Sequence, residues 1–221
     1  MSRDNPPKTR PRILITAGPT REKIDPVRFI SNYSTGTFGY ELAREARRRG
    51  SKVTLVSGPV GIRPPRGVKL IRVESAVEME RAVSREFGHS DCIIMAAAVS
   101  DWRVRSVSRK KIKKGSGAMT IKLIENPDIL KNLGARKRKA KTLVGFALET
   151  GGLVRNALRK LKEKNLDIIV ANKLSPKASI FGGAAVDILM MTRSGKRQWY
   201  FGREKKELAK IILDNIFDSN I

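Results

Sequence analysis

Residues 91–97 read Asp-Cys-Ile-Ile-Met-Ala-Ala, an almost unbroken apolar run. A strand with one wet face alternates apolar and polar side chains, whereas a strand covered on both faces does not. The run is too short for a buried helix and far too short for the roughly 20 residues of a membrane span. It predicts a central strand of a parallel sheet. Such a sheet needs helices on both faces, and the rest of the chain must supply them.

The remaining pattern meets that need. Short β-branched runs at 12–16, 52–56, 68–73, 142–147 and 167–171 are predicted strands. Between them, 38–49 carries Leu42 and Ala46 at helical spacing and stops at Gly50. Helices are also predicted over 76–87, 153–164 and 203–217. Asn126-Pro127 is expected to open a further short helix, with Asn as N-cap and Pro at the first helical position. Residues 119–124 alternate like a strand, and 184–192 and 197–200 read as strands joined at Ser194-Gly195. These three are the candidates for antiparallel pairing. Residues 25–36 read as one long loop and 101–117 as a second, basic one that would serve as a flexible flap. The fold class expected is α/β: a doubly wound, mostly parallel, Rossmann-like sheet with a flap and a late β-hairpin. Residues 1–11, polar and proline-rich, are expected to be a flexible leader, and 12–221 a single domain.

Composition narrows the function classes. The chain has 221 residues, one cysteine and one histidine, which leaves no disulfide framework, Cys-rich zinc site or histidine-based triad. Cys92 falls inside the predicted buried strand and His89 at a helix-to-strand turn, so neither is given a chemical role. No apolar h-region opens the sequence, and a cytoplasmic protein without membrane attachment is expected. Lys and Arg number 46 against 21 acidic residues, a net charge of +25. That excess favours anionic partners: nucleic acid, an anionic membrane surface or phosphorylated small molecules. Aromatic residues make up only 5% of the chain, too few for a module that stacks several bases.

Three segments combine a predicted strand end with unusual chemistry, and in an open α/β sheet ligands bind beyond the carboxyl ends of the strands. In Asn32-Tyr-Ser-Thr-Gly-Thr-Phe-Gly39, glycines let the backbone approach an anion. Ser34, Thr35 and Thr37 add hydroxyls there, and the following helix offers its free N–H groups. In Met95-Ala-Ala-Ala-Val-Ser-Asp-Trp102, small residues let a flat ligand lie against the backbone. Asp101 suits a metal, a ligand proton or a turn cap. Lys111-Ile-Lys-Lys114 brings point charges that can offset a phosphate or a growing oxyanion.

Eight blocks then occur in one order. They are Ile13-Leu-Ile-Thr-Ala-Gly18, Ile24-Asp-Pro-Val-Arg-Phe-Ile-Ser-Asn32, Val53-Thr-Leu-Val-Ser-Gly-Pro59 and Ala96-Ala-Ala-Val-Ser-Asp101, followed by Lys111-Ile-Lys-Lys114, Glu125-Asn-Pro-Asp-Ile-Leu130, Val144-Gly-Phe-Ala-Leu-Glu-Thr150 and Asn165-Leu-Asp-Ile-Ile-Val-Ala-Asn172. Together they resemble the phosphopantothenoylcysteine synthetases, ligases of coenzyme A biosynthesis. The resemblance runs from about residue 12 to 217. It implies that CTP activates 4′-phosphopantothenate as an acyl-cytidylate, with Mg²⁺ present, and that L-cysteine then displaces CMP. It implies a homodimer whose sites are completed by the neighbouring subunit. It implies a stand-alone ligase without the flavin-dependent decarboxylase to which many bacterial members are fused, and hence no flavin.

By motif, Asn32 matches the residue that meets the acyl intermediate, with Ala98 beside it, and Lys111 matches the lysine of the activating step. Ala96, Ala97 and Asp101 match the cytidine site. Asn126, Pro127, Asp128, Phe146, Lys160 and Lys164 match further nucleotide positions, and Ser34, Thr35, Gly36, Thr37 and Gly39 the phosphate loop. That loop usually reads Ser-Ser-Gly-Lys-Met-Gly, so Thr37 stands in place of its lysine. The competing readings are an ATP-using version of the same ligase, a nicotinamide-dependent reductase and a basic nucleic-acid-binding module. The reductase lacks GxGxxG after the first strand and an acid after the second.

Overall fold

The computed structural model describes residues 10–115, 117–173 and 185–218. Its strands are β1 (Arg12–Ala17), β2 (Arg21–Lys23), β3 (Phe29–Ser31), β4 (Lys52–Ser57), β5 (Lys69–Arg72), β6 (Cys92–Met95), β7 (Trp102–Val104), β8 (Leu123–Glu125), β9 (Thr142–Glu149), β10 (Ile168–Lys173), β11 (Val186–Thr192) and β12 (Arg197–Arg203). Its helices are α1 (Thr37–Arg48), α2 (Ala76–Phe87), α3 (Ile129–Arg136), α4 (Leu153–Glu163) and α5 (Lys205–Asp218).

Eight strands form one sheet in the order β12-β11-β10-β9-β6-β1-β4-β5. Pairings from β5 through to β10 are parallel, and β11 and β12 join antiparallel. The apolar run proposed as a central strand is β6, buried along its whole length between β1 and β9. Cys92 is buried there as a packing residue, and burial pushes its thiol well above the ordinary range. One core packs α1 and α5 against the sheet, and a second packs α2, α3 and α4 against the other face. From β1 the chain builds outward through β4 and β5, then returns to β6 and builds the other way. The direction of winding therefore reverses between β1 and β6, where a doubly wound sheet opens a crevice at its carboxyl edge.

Five readings of the sequence are corrected. The loop over 25–36 holds β3, which pairs antiparallel with β2 as a small ribbon. The basic loop holds β7, which pairs with β8, and the strand read over 119–124 shrinks to Leu123–Glu125. Strands of three residues carry too little alternation to be read as a period. The short helix begins at Ile129, not at Pro127, because Asp128 is its N-cap and accepts from the Lys131 N–H at 3.0 Å. Asn126 does not serve as that cap: its Oδ1, the acceptor a cap would use, takes a 3.2 Å bond from Arg103, while its Nδ2 donates to the Ser100 carbonyl at 2.9 Å. The late hairpin is present as β11 and β12; residue 184 of that reading lies outside the described residues, as do residues 1–9 of the leader. β12 also runs through Arg203, so α5 starts two residues later than expected.

Helices α1 and α5 lie side by side and are tied at their C-terminal ends. Arg49 donates to Asp214 at 2.7 Å and to the Lys210 carbonyl at 3.1 Å. The same arginine meets Glu45, which is buried on α1 and also accepts a fork from Arg48. These hydrogen bonds outweigh burial and bring the Glu45 carboxyl down to about 2. A group whose pKa falls on folding stabilises the fold above its unfolded value and loses that contribution as pH drops through the folded one. Glu45→Gln should therefore cost about 1.5–3 kcal/mol near pH 7, the usual range for hydrogen bonds to a charged group. In thermal melts across pH, its deficit against the parent should close between the ordinary carboxyl value of 4.5 and about 2.

Candidate active site

A cleft of about 750 Å³ opens at the carboxyl edge of the sheet, over the ends of β6, β9 and β10 and against the N-terminus of α1. Every site residue named from the sequence lines it, with the exception of Lys111. One wall is the turn into α1. Gly36 sits there with φ of 78°, a left-handed conformation that glycine adopts without penalty, and caps the helix with no side chain. The N-terminus of α1 is thus presented to the cleft without an obstructing side chain. Around it, the Thr35 and Thr37 hydroxyls lie 2.8 Å apart and Ser34 Oγ accepts from the Gly36 N–H at 3.2 Å. Gly39 is equally constrained, since a Cβ there would stand 2.8 Å from the Thr16 carbonyl oxygen.

The second wall is the segment after β6, and its backbone is stitched to the end of β1. Ala97 N–H donates to Thr16 Oγ1 at 3.1 Å, Ala98 N–H to the Gly18 carbonyl at 2.9 Å, and Ser100 N–H to Thr20 Oγ1 at 3.0 Å. The Ala97 N–H is therefore committed, which leaves Ala97 a carbonyl to offer a ligand. Asn32 is drawn to this wall by an Nδ2 bond to the Val99 carbonyl at 2.9 Å. Asp101 stands exposed at the rim, and its carbonyl accepts the Asn126 N–H at 2.8 Å. Asn126 also takes a 3.2 Å bond from Arg103, so this one amide joins the segment, β7 and the approach to α3.

The third wall comes from β9, α3 and α4. Phe146 meets Phe38 edge to face, with centroids 5.0 Å apart, and so connects β9 to the first turn of α1. Lys160 and Lys164, four apart on α4 and its C-cap, do not form a bare basic face. Lys160 pairs with Glu149 at 2.7 Å and Lys164 with Asp128 at 2.9 Å. Burial alone would raise both carboxyls, but the lysine hydrogen bonds prevail and hold them below their ordinary values.

Sequence reasoning missed Lys205 at the start of α5 and Asn172 near the end of β10, both in the cleft wall. Lys205 is buried, and desolvation lowers its pKa. One lysine among 46 basic residues gave no signal. Lys111 is the opposite case. It is exposed on the loop after β7, outside the cleft lining, and the next residue is tied to the β2–β3 turn. Among the described residues no cluster of three His, Cys, Asp or Glu side chains is placed to hold a metal ion.

Sheet, switch point and uncapped helix end define a class: a doubly wound α/β domain with its ligand cleft at the topological switch point. Within that class the chain belongs to the family described as the DNA/pantothenate metabolism flavoprotein C-terminal domain, whose model matches residues 9–219. It is 44% identical over 205 residues to the coenzyme A biosynthesis bifunctional protein CoaBC of Bacillus subtilis, covering 92% of this chain and 50% of that protein. It is 46% identical over 206 residues to a cysteine/cysteine sulfinic acid decarboxylase of an unidentified prokaryote, covering 93% and 57%. The crystal structure of the C-terminal domain of a CoaBC protein superposes with a TM-score of 0.80 at 41% identity, covering 93% of each chain. The chain thus spans between 50% and 57% of the length of these two relatives.

The turn at Gly36 is the most exacting part of the cleft. An added Cβ would lie 2.8 Å from Val60 Cγ1 and 3.3 Å from the Gly18 backbone, on a left-handed φ. Gly36→Ala should lose at least about 1–2 kcal/mol from the backbone conformation alone. Calorimetry should show weakened binding of a nucleoside monophosphate, with the fold retained by circular dichroism.

Proposed function

We propose that this chain is a ligase joining 4′-phosphopantothenate to L-cysteine at the expense of CTP, in coenzyme A biosynthesis. One observation carries the reading. Residues spread from Asn32 to Lys164, named from motif alone, line a single cleft at the switch point of a family member. A CoaBC protein, named for coenzyme A biosynthesis, shares 44% identity over this region.

The chemistry follows from what must be joined. A carboxylate does not acylate an amine, and a nucleotide leaving group makes it reactive. The phosphopantothenate carboxylate attacks the α-phosphate of CTP, forming an acyl-phosphate linkage as pyrophosphate departs. The cysteine amine then adds to the acyl carbonyl, the amide forms, and CMP leaves with the bonding electrons of the acyl–oxygen bond. Two anions must first approach each other, so preorganised donors and cations dominate the catalysis. The N-terminus of α1 and the hydroxyls of Ser34, Thr35 and Thr37 receive phosphate oxygens. The free N–H of Asn32 serves the acyl carbonyl. Asp101, the Ala96 and Ala97 carbonyls, Asn126, Pro127, Asp128 and Phe146 frame the cytidine, and Ala98 abuts the acyl group. Lys160 and Lys164 meet the nucleotide while held by their carboxylates.

Magnesium suits a site with scattered carboxylates, because it binds largely through substrate phosphates and water rather than through a protein cage. It would neutralise phosphate charge. No flavin has a role in this chemistry. Lys111, outside its own cleft, is assigned to the cleft of a second copy in a homodimer. The edge strand β12 gives that copy a face to meet. Residues 12–221 act as one catalytic domain. We place the reaction in the cytoplasm, and no helix among the described residues is long and apolar enough to cross a membrane.

Mixing the protein with Mg²⁺, CTP and 4′-phosphopantothenate, without cysteine, tests the order of steps. Pyrophosphate should appear at roughly one equivalent per site, with an acyl-cytidylate retained. CDP in its place would overturn the mechanism, and preferential use of ATP in equal mixtures would overturn the choice of nucleotide. Lys111→Gln should cut the burst by on the order of 10²-fold, as expected for loss of one preorganised charge.

A further inference from the structure

The turn between β2 and β3 buries a carboxylate that the reaction above does not use. The Asp25 side chain is 0% exposed. Five N–H groups converge on it. Oδ1 accepts from Val27 and Arg28 main-chain N–H groups at 2.8 Å each. Oδ2 accepts from Arg28 Nε at 3.1 Å, from Arg28 Nη2, and from the Ile112 N–H at 3.1 Å. Arg28 Nη2 also donates to the Ile112 carbonyl at 3.0 Å. Both main-chain polar groups of Ile112 are thus held by one Asp–Arg pair, far away in sequence. The same stretch is pinned again where the Ser108 N–H donates to the Ile24 carbonyl at 3.0 Å.

A turn of this kind is satisfied by the two Oδ1 bonds alone. Burying the second oxygen, with a guanidinium fork over it, is a costly arrangement unless it fixes something. What it fixes is the chain one residue from Lys111. The fork and the N–H groups outweigh burial and hold the Asp25 carboxyl well below the ordinary range, so the anchor stays charged.

We propose that Asp25 is a positioning residue for Lys111: through Arg28 and Ile112 it locates the base of the loop that carries the lysine. The proposal rests on the reading of Lys111 given above. A lysine on a loosely attached loop would spread its charge over many positions and assist the activating step little. With Ile112 fixed, chiefly the side-chain torsions of Lys111 remain to be ordered.

Asp25→Asn keeps the shape but turns an amide N–H toward donors. Its pyrophosphate burst should fall by on the order of 10-fold to 10²-fold, the range expected when a catalytic group is misplaced by about an ångström. CMP affinity should stay at the parent value, since the cleft lining excludes Asp25 and Lys111. In a Lys111→Gln background, Asp25→Asn should cost nothing further. Arg28→Lys keeps a cation on Asp25 but loses the fork to the Ile112 carbonyl. It should show the same dependence on Lys111, and it serves if Asp25→Asn does not fold. Limited trypsin digestion at 109–114 should accelerate in both variants at temperatures well below the melting point of each. If the Asp25 and Lys111 effects simply multiply, Asp25 is structural and the proposal falls. If Lys111→Gln leaves the burst intact, the reading of Lys111 and this proposal fall together.

Discussion

The cleft exists because the chain after β6 is sewn to the chain after β1. Three donors, the N–H groups of Ala97, Ala98 and Ser100, find acceptors at Thr16, Gly18 and Thr20. Each acceptor lies within a few residues of the end of β1, and a bridge between Pro19 and Ala98 extends the pairing beyond the sheet. Past the end of the sheet these backbone groups would otherwise open to solvent. The stitching satisfies those groups and holds a wall of small residues rigid. Asn32 then hangs from the Val99 carbonyl of that wall, and Asn126 from the Ser100 carbonyl. Two side chains from remote parts of the sequence are thereby set without touching one another.

The helices depend on the same frame. α1 begins at the cleft because Gly36 turns the chain tightly against Gly18, with no room for a side chain between them. α5 lies beside α1 through the Arg49 bonds near their C-terminal ends, and this brings Lys205 into the wall at the other end. The buried Glu45 is the hinge of that arrangement, since the arginine reaching α5 is the one it holds. A carboxylate on a helix face pointing away from the cleft thus helps to decide where a cleft lysine stands.

Much of this was legible in the sequence, for a physical reason. Strands buried on both faces, such as β6, announce themselves by unbroken apolar runs, and α1 announced itself by helical spacing and a terminal glycine. The cleft residues were legible as motifs because a switch-point site is built from a few contiguous segments. The illegible features arise from contacts between distant residues. The β2–β3 and β7–β8 ribbons are three residues deep and owe their pairing to each other. The cap of α3 went to Asp128 instead of Asn126 because Arg103, 23 residues earlier, claims the asparagine oxygen. Lys111 read as a cleft residue by motif, but Asp25 and Arg28 hold its neighbour elsewhere. No local pattern encodes such choices.

The net charge of +25 invites the view that the cleft is simply a positive surface. The wall argues otherwise. Lys160 and Lys164 each face a carboxylate at hydrogen-bond distance, and Lys205 is buried. The turn from Ser34 to Gly39 carries no lysine, so what it can offer an anion comes from hydroxyls and a helix end. A helix end and hydroxyl groups act within a few ångströms and at defined angles, whereas net charge acts diffusely and is screened within about 10 Å in moderate salt. A site built this way discriminates by the placement of phosphate oxygens. That selectivity is what the proposed reaction, whose substrates are compact phosphorylated molecules, asks of the cleft, and diffuse charge does not supply it.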